Sequence, residues 1–196
     1  MDIRKLSDFE LVERFVKGDD DSMEILIRRH KSKVFTYLML SVRNRDVAND
    51  LFQDTFMKVI QSLRSGRYSD EGKFLPWVVR IAHNLTIDYF RKEKNQNTWS
   101  NDDNELDIFN SPRFSDVNVE DRIVEDQICT DIRNLIDMLP DDQKQVVLLR
   151  HYGGMSFKEI ADQTGVSINT ALGRMRYAVI NMRRFVDEYN ITLTRN

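Results

Sequence analysis

The sequence predicts an all-α protein, two small helical domains joined by a flexible acidic linker, and three observations carry that expectation. Apolar residues recur at three- and four-residue spacing through most of the 196 residues, with none of the sustained alternation of a half-buried strand. Serine three residues ahead of glutamate, the capping-box signature in which each side chain satisfies the other's free backbone N–H, precedes such runs at Ser7–Glu10 and Ser156–Glu159. From Asn95 to about Val119 the helical period lapses and Asn, Asp and Ser dominate. The expected domains are residues 1–94 and 119–190, with the linker at 95–118 and a tail at 191–196.

Composition narrows the classes. Two helical domains of roughly 70 to 90 residues suit the length. No run approaches the ~20 apolar residues that span a bilayer, and MDIRKLSDFE is too charged for a signal peptide, so a cytoplasmic chain is expected. Cys129 stands alone and forms no internal disulfide. The net charge of −3 hides an asymmetry, because nine acidic residues against Arg113 and Arg122 give −7 between Asn95 and Gln127, leaving +4 elsewhere. Basic domains are masked by an acidic linker.

The elements follow in order. Ser7 opens a helix lined by Leu11, Val12, Phe15 and Val16, and Gly18 ends it. A longer helix from about Ser22 carries Met23, Ile25, Leu26, Ile27, Val34, Phe35, Leu38 and Met39, with Arg28 to Lys33 read as a solvated basic face. In the helix from Asp46 to Leu63, residues Leu51, Phe52, Thr55, Phe56, Val59 and Leu63 face inward, leaving Asp50, Gln53, Asp54 and Lys58 toward water. Arg64 to Lys73 has the Gly, Ser and Asp content of a surface loop. Pro76 suits the first turn of the next helix, from Phe74 to about Lys94, whose expected core stripe is Phe74, Val78, Ile81, Ala82, Leu85 and Tyr89. Arg80, Asn84 and Arg91 share another arc, flanked by Trp77, His83 and Asp88. Cations interleaved with amides and an aromatic can hold phosphates and stack on exposed bases.

Past the linker, Ile123 to Leu139 predicts a helix and Pro140 starts another, with Asp141 and Asp142 suited to its positive N-terminus. Gly153–Gly154 then turn the chain into two short helices. Ser156 caps the first, Gly165 ends it, and Ser167 caps the second, a spacing that fits a helix-turn-helix. On the second helix Ile168, Ala171, Leu172, Met175, Ala178, Val179 and Met182 are expected in the core. Asn169, Thr170, Gly173, Arg174 and Tyr177 fall opposite, facing solvent or DNA.

Taken together, NDLFQDTFMKVI, FLPWVVRIAHNLTIDYFRK and LPDDQKQVVLLRHYGGMSFKEIADQTGVSINTALGRMRYA resemble, in that order, three segments of the extracytoplasmic-function (ECF) branch of the bacterial sigma-70 family. These are its polymerase-clamp helix, its minus-ten reading helix and its minus-thirty-five helix-turn-helix. The resemblance spans nearly the whole chain, and it implies a sigma factor that binds core RNA polymerase and directs initiation at promoter DNA. It makes Asp50, Gln53 and Asp54 the polymerase contacts. Tyr68, Lys73, Trp77, Arg80, Asn84, Asp88 and Arg91 become minus-ten contacts. Ser167, Asn169, Thr170, Gly173, Arg174 and Tyr177 belong to the minus-thirty-five reader, with Lys158, Arg176, Arg183 and Arg184 as phosphate anchors. Many relatives carry a lysine and a serine where Leu172 and Gly173 stand here, so base preference does not transfer. The resemblance further implies an anti-sigma protein, often membrane-bound among relatives, that holds the chain at the inner membrane.

The rival reading is a helix-turn-helix regulator that binds duplex DNA without polymerase, which predicts self-association and a palindromic site. An enzyme is not expected. His30, His83 and His151 lack metal-ligand spacing, no nucleotide-binding glycine loop is present, and neither metal nor cofactor is implied.

Overall fold

The computed structural model describes residues 3–68, 72–97 and 131–191. Cys129, the expected linker from residue 98 onward, the expected start of the second domain and the tail from residue 192 lie outside them. Among the described residues every regular element is a helix, and the chain divides into two compact units.

The first unit holds a 3-10 turn, Ile3–Lys5, and helices α1 (Asp8–Val16), α2 (Asp20–Val42), α3 (Arg45–Arg64) and α4 (Phe74–Asn97). At α1 the capping box is complete: Glu10 N–H donates to Ser7 Oγ at 3.3 Å and Ser7 N–H to the Glu10 carboxylate at 2.8 Å. Leu11, Val12 and Phe15 are buried, but Val16, expected among them, is 54 % exposed. α2 starts at Asp20, ahead of Ser22, whose hydroxyl donates to Asp19.

The basic run on α2 is only partly a solvated face. Arg28 pairs with Glu24 in water, whereas Arg29 reaches Asp8 and the carbonyls of Arg4 and Leu6. His30 is buried, with Nε2 2.8 Å from Asp8 Oδ2. Burial alone would raise the Asp8 pKa, but His30 and Arg29 outweigh it and hold the carboxyl below its ordinary value. These groups tie α1 to α2.

Asn44 caps α3 by accepting from the N–H groups of Asp46 and Val47. Ala48, Leu51, Thr55, Phe56, Val59 and Leu63 are buried, and Phe52 is half-buried against Phe35 and Phe56. In α4 the buried line is Phe74, Val78, Val79, Ala82, His83 and Thr86; Ile81, Leu85 and Tyr89, expected in the core, are half-buried. The helix runs to Asn97, past the boundary expected at residue 94.

The second unit comprises helical residues 131–137 (α5), α6 (Asp141–His151), α7 (Phe157–Thr164) and α8 (Ile168–Glu188). Leu135, Ile136, Leu139, the run Val146 to Leu149, Met155 and Ile160 form its core. Lys144 is also buried, its ammonium paired with Asp137. Arg150 donates to the Met155 carbonyl at 2.7 Å and lies over the Phe157 ring, fixing the turn between α6 and α7. The Ser156 capping box is complete, Gly165 ends α7 at φ 68°, and Ser167 Oγ accepts from Thr170 N–H at 3.0 Å. The helix-turn-helix is built by local chemistry as its sequence indicates.

Candidate polymerase and nucleic-acid interfaces

Asp50, Gln53 and Asp54 are all exposed on the face of α3 opposite its buried stripe. The helix is capped at Asn44 and packed on α2 and α4, and the trio forms one polar patch, two carboxylates and an amide, of neighbours at helical spacing.

On α4, Trp77, Arg80, Asn84, Asp88 and Arg91 fall within an arc of about 80° at 100° per residue. Arg80, Asn84 and Arg91 are exposed, Trp77 and Asp88 half-buried, and Lys73 is exposed just before the helix. Tyr68 packs its ring 4.2 Å from that of Trp77, with Phe74 behind both, so the root of the loop is held over the start of α4. Residues 69–71 of that loop lie outside the described residues. Asp88 accepts from Arg91 at 2.9 Å, so its carboxylate is already engaged within the helix.

His83 does not flank this face. It is buried on the inner side of α4, with Nδ1 2.8 Å from the hydroxyl of Tyr37 on α2. Its spacing from Val79 and Thr86 carried the signal. Burial lowers its pKa from 6.5 to about 4 and raises that of Tyr37, so both remain neutral at physiological pH. The unfolded chain takes up a proton on His83 near pH 6.5 while the folded chain resists until about pH 4, so stability is lost as pH falls across that window. Acid melts of the wild type and His83→Gln should therefore differ in slope between pH 6.5 and 4, with up to a few kcal/mol of the wild-type loss missing in the variant.

On α8 the buried seam is narrower than expected. Ala171, Ala178 and Phe185 are buried and Met175 and Met182 half-buried, while Ile168 is 46 %, Leu172 43 % and Val179 36 % exposed. α6 and α7 cover only the strip centred on the two alanines, leaving those three larger side chains at its edge. Lys158, Asn169, Thr170, Arg176, Tyr177, Arg183 and Arg184 are exposed. Ser167 and Thr170 bond to each other as a cap. Arg174 differs from these, since it is half-buried and Nε lies 3.1 Å from Asp142 on α6, an ion pair that clamps α8 to its neighbour.

Nothing lies within 4 Å of a Cβ built on Gly173, so the free fold does not require glycine there. Gly173→Ala should raise stability by about 1 kcal/mol, read as a higher denaturant midpoint at unchanged slope. Loss of promoter activity in this more stable variant would mark close backbone approach to DNA.

Comparison with known proteins follows the same division. Residues 26–96 match the family described as Sigma-70 region 2, and residues 129–172 match Sigma-70, region 4. RNA polymerase sigma factor CarQ of Myxococcus xanthus is 31 % identical over 188 residues, 94 % of this chain and 100 % of that protein. The ECF RNA polymerase sigma-E factor of Haemophilus influenzae is 29 % identical, covering 87 % of this chain and 90 % of that one. Among solved structures, CnrH in complex with the cytosolic domain of CnrY shares the fold with a TM-score of 0.61 at 19 % identity, over 92 % of this chain and 97 % of that one. The sigma factor RpoE of Bartonella quintana, in complex with the anti-sigma factor NepR, gives 0.61 at 18 %, over 84 % and 96 %. With both regions matched in order and a full-length relative above 30 % identity, the chain belongs to the ECF branch of the sigma-70 family.

Proposed function

We propose that this ECF sigma factor directs promoter-specific initiation with its two units dividing the work. The first binds core RNA polymerase through Asp50, Gln53 and Asp54 and engages the minus-ten element through Lys73, Trp77, Arg80, Asn84 and Arg91, with Tyr68 at the root of the loop. The second sets α8 in the major groove at minus thirty-five. There Asn169, Thr170, Gly173 and Tyr177 face bases, Lys158, Arg176, Arg183 and Arg184 hold phosphates, and Ser167 caps the helix. The supporting observation is that α3, α4 and α8 each present an exposed polar face opposite a buried stripe.

The role is one of binding and needs no covalent step. Capture of an unstacked minus-ten base offsets an unstacking cost of a few kcal/mol. Asp88 and Arg174 take positioning roles, Asp88 through Arg91 and Arg174 through Asp142. The minus-thirty-five face is thereby the exposed set without Arg174. The acidic linker is proposed to thread the polymerase cleft on a path that nucleic acid later takes.

No helix among the described residues is long and apolar enough to cross a membrane. A cytoplasmic location is proposed, with an anti-sigma protein as a further partner by analogy with the sigma factor solved with NepR. The test is run-off transcription with core enzyme and a library of promoter fragments. Promoter-specific transcripts that depend on the added chain support the reading, and absence of both core binding and transcripts overturns it. The rival regulator leaves the region-2 match of the first unit without a role.

A further inference from the structure

We infer that Leu172 is a specificity-determining residue that reads a thymine methyl in the minus-thirty-five element, between an amide reader at Asn169 and a cation at Arg176. This rests on the proposed function and adds the chemical class of base that the site selects. Counting from the buried Ala171 at 100° per residue, Leu172, Arg183, Arg176 and Asn169 fall at about 100°, 120°, 140° and 160°. They therefore form one strip on the open side of α8. Asn169 and Arg176 are Leu172's neighbours at i−3 and i+4, the spacing at which helical side chains lie side by side.

A leucine 43 % exposed is not needed by the core of its own unit, whose seam runs through Ala171, Ala178 and Phe185. The surrounding charge fits DNA as the occupant, since Arg176 and Arg183 on the same strip and Lys158 on α7 are exposed cations. In the major groove only thymine offers an apolar group, its C5 methyl, while Asn pairs bidentately with adenine N6 and N7 and Arg with guanine or a phosphate. An amide, an isobutyl group and a guanidinium in succession along a helix thus select an A·T-containing step, with thymine opposite Leu172.

The test replaces each minus-thirty-five thymine singly with deoxyuridine, which removes only the methyl, and measures initiation by the full chain with core enzyme at a promoter it uses. The wild type is expected to lose about fourfold at one or two positions, the value of one buried methyl-sized group. Leu172→Ala should start equally from both templates at those positions, and Leu172→Met should restore discrimination. Both exposed substitutions are expected to melt like the wild type, which separates contact loss from unfolding. Indifference of the wild type to uracil at every position, or persistence of its thymine preference in Leu172→Ala, overturns the inference while leaving the sigma function intact. Failure to initiate at any promoter overturns that function and this inference with it.

Discussion

Reversing the charge at Asp50 and Asp54 together, as Asp50→Lys with Asp54→Lys, should weaken binding to core polymerase by on the order of a hundredfold while leaving the first unit folded. Both side chains are exposed on α3, opposite Ala48, Leu51, Thr55 and Phe56, so their replacement removes nothing from the core. Surface changes of this kind alter stability by about half a kcal/mol or less. Against a complementary partner the same two changes turn attraction into repulsion, and like charges brought together at an interface cost several kcal/mol. Affinity measured by fluorescence anisotropy with labelled chain, beside a thermal melt, checks both halves. An unchanged affinity would remove the α3 patch from the polymerase interface.

A comparable effect on stability is expected from one exchange in the second unit. Asp137→Ala should cost about 3 kcal/mol, because it takes the carboxylate from a lysine whose side chain is only 2 % exposed. Lys144→Met, which fills the same space without a charge, should be nearly neutral. The measurement is native-state hydrogen exchange on the full chain. Amides of α6 should lose protection in Asp137→Ala and keep it in Lys144→Met. Equal losses would show that the ion pair itself, beyond the burial of its aliphatic stem, holds α5 and α6 together.

Several features were legible in the sequence because they are decided within a few residues. Ser7 with Glu10, Ser156 with Glu159, and Gly165 followed by Ser167 cap or end helices where the spacing indicates, since capping is a contact over three residues. The exposure of Asp50, Gln53 and Asp54, and of Arg80, Asn84 and Arg91, followed from helical periodicity. What escaped depends on packing between distant segments. Periodicity gave α8 an apolar arc, but its buried width is set by α6 and α7, which left Ile168, Leu172 and Val179 at the edge. The ion pair of Arg174 with Asp142, 32 positions away, is invisible to the helical period of α8. Burial of Lys144 and His83 likewise follows from where other helices lie.

The narrow seam of α8 has an evolutionary consequence. Its hold on the second unit includes Ala171, Ala178, Phe185, the Arg174–Asp142 pair and the hydrogen bond that Asn181 donates to Gln143, none of them on the Asn169–Leu172–Arg176 strip. Scaffold and address are written in separate letters of one helix. Substitutions along the strip can retune which promoters the chain visits without eroding its fold, so a duplicated copy of the gene could diverge to a new regulon by a few tolerated steps.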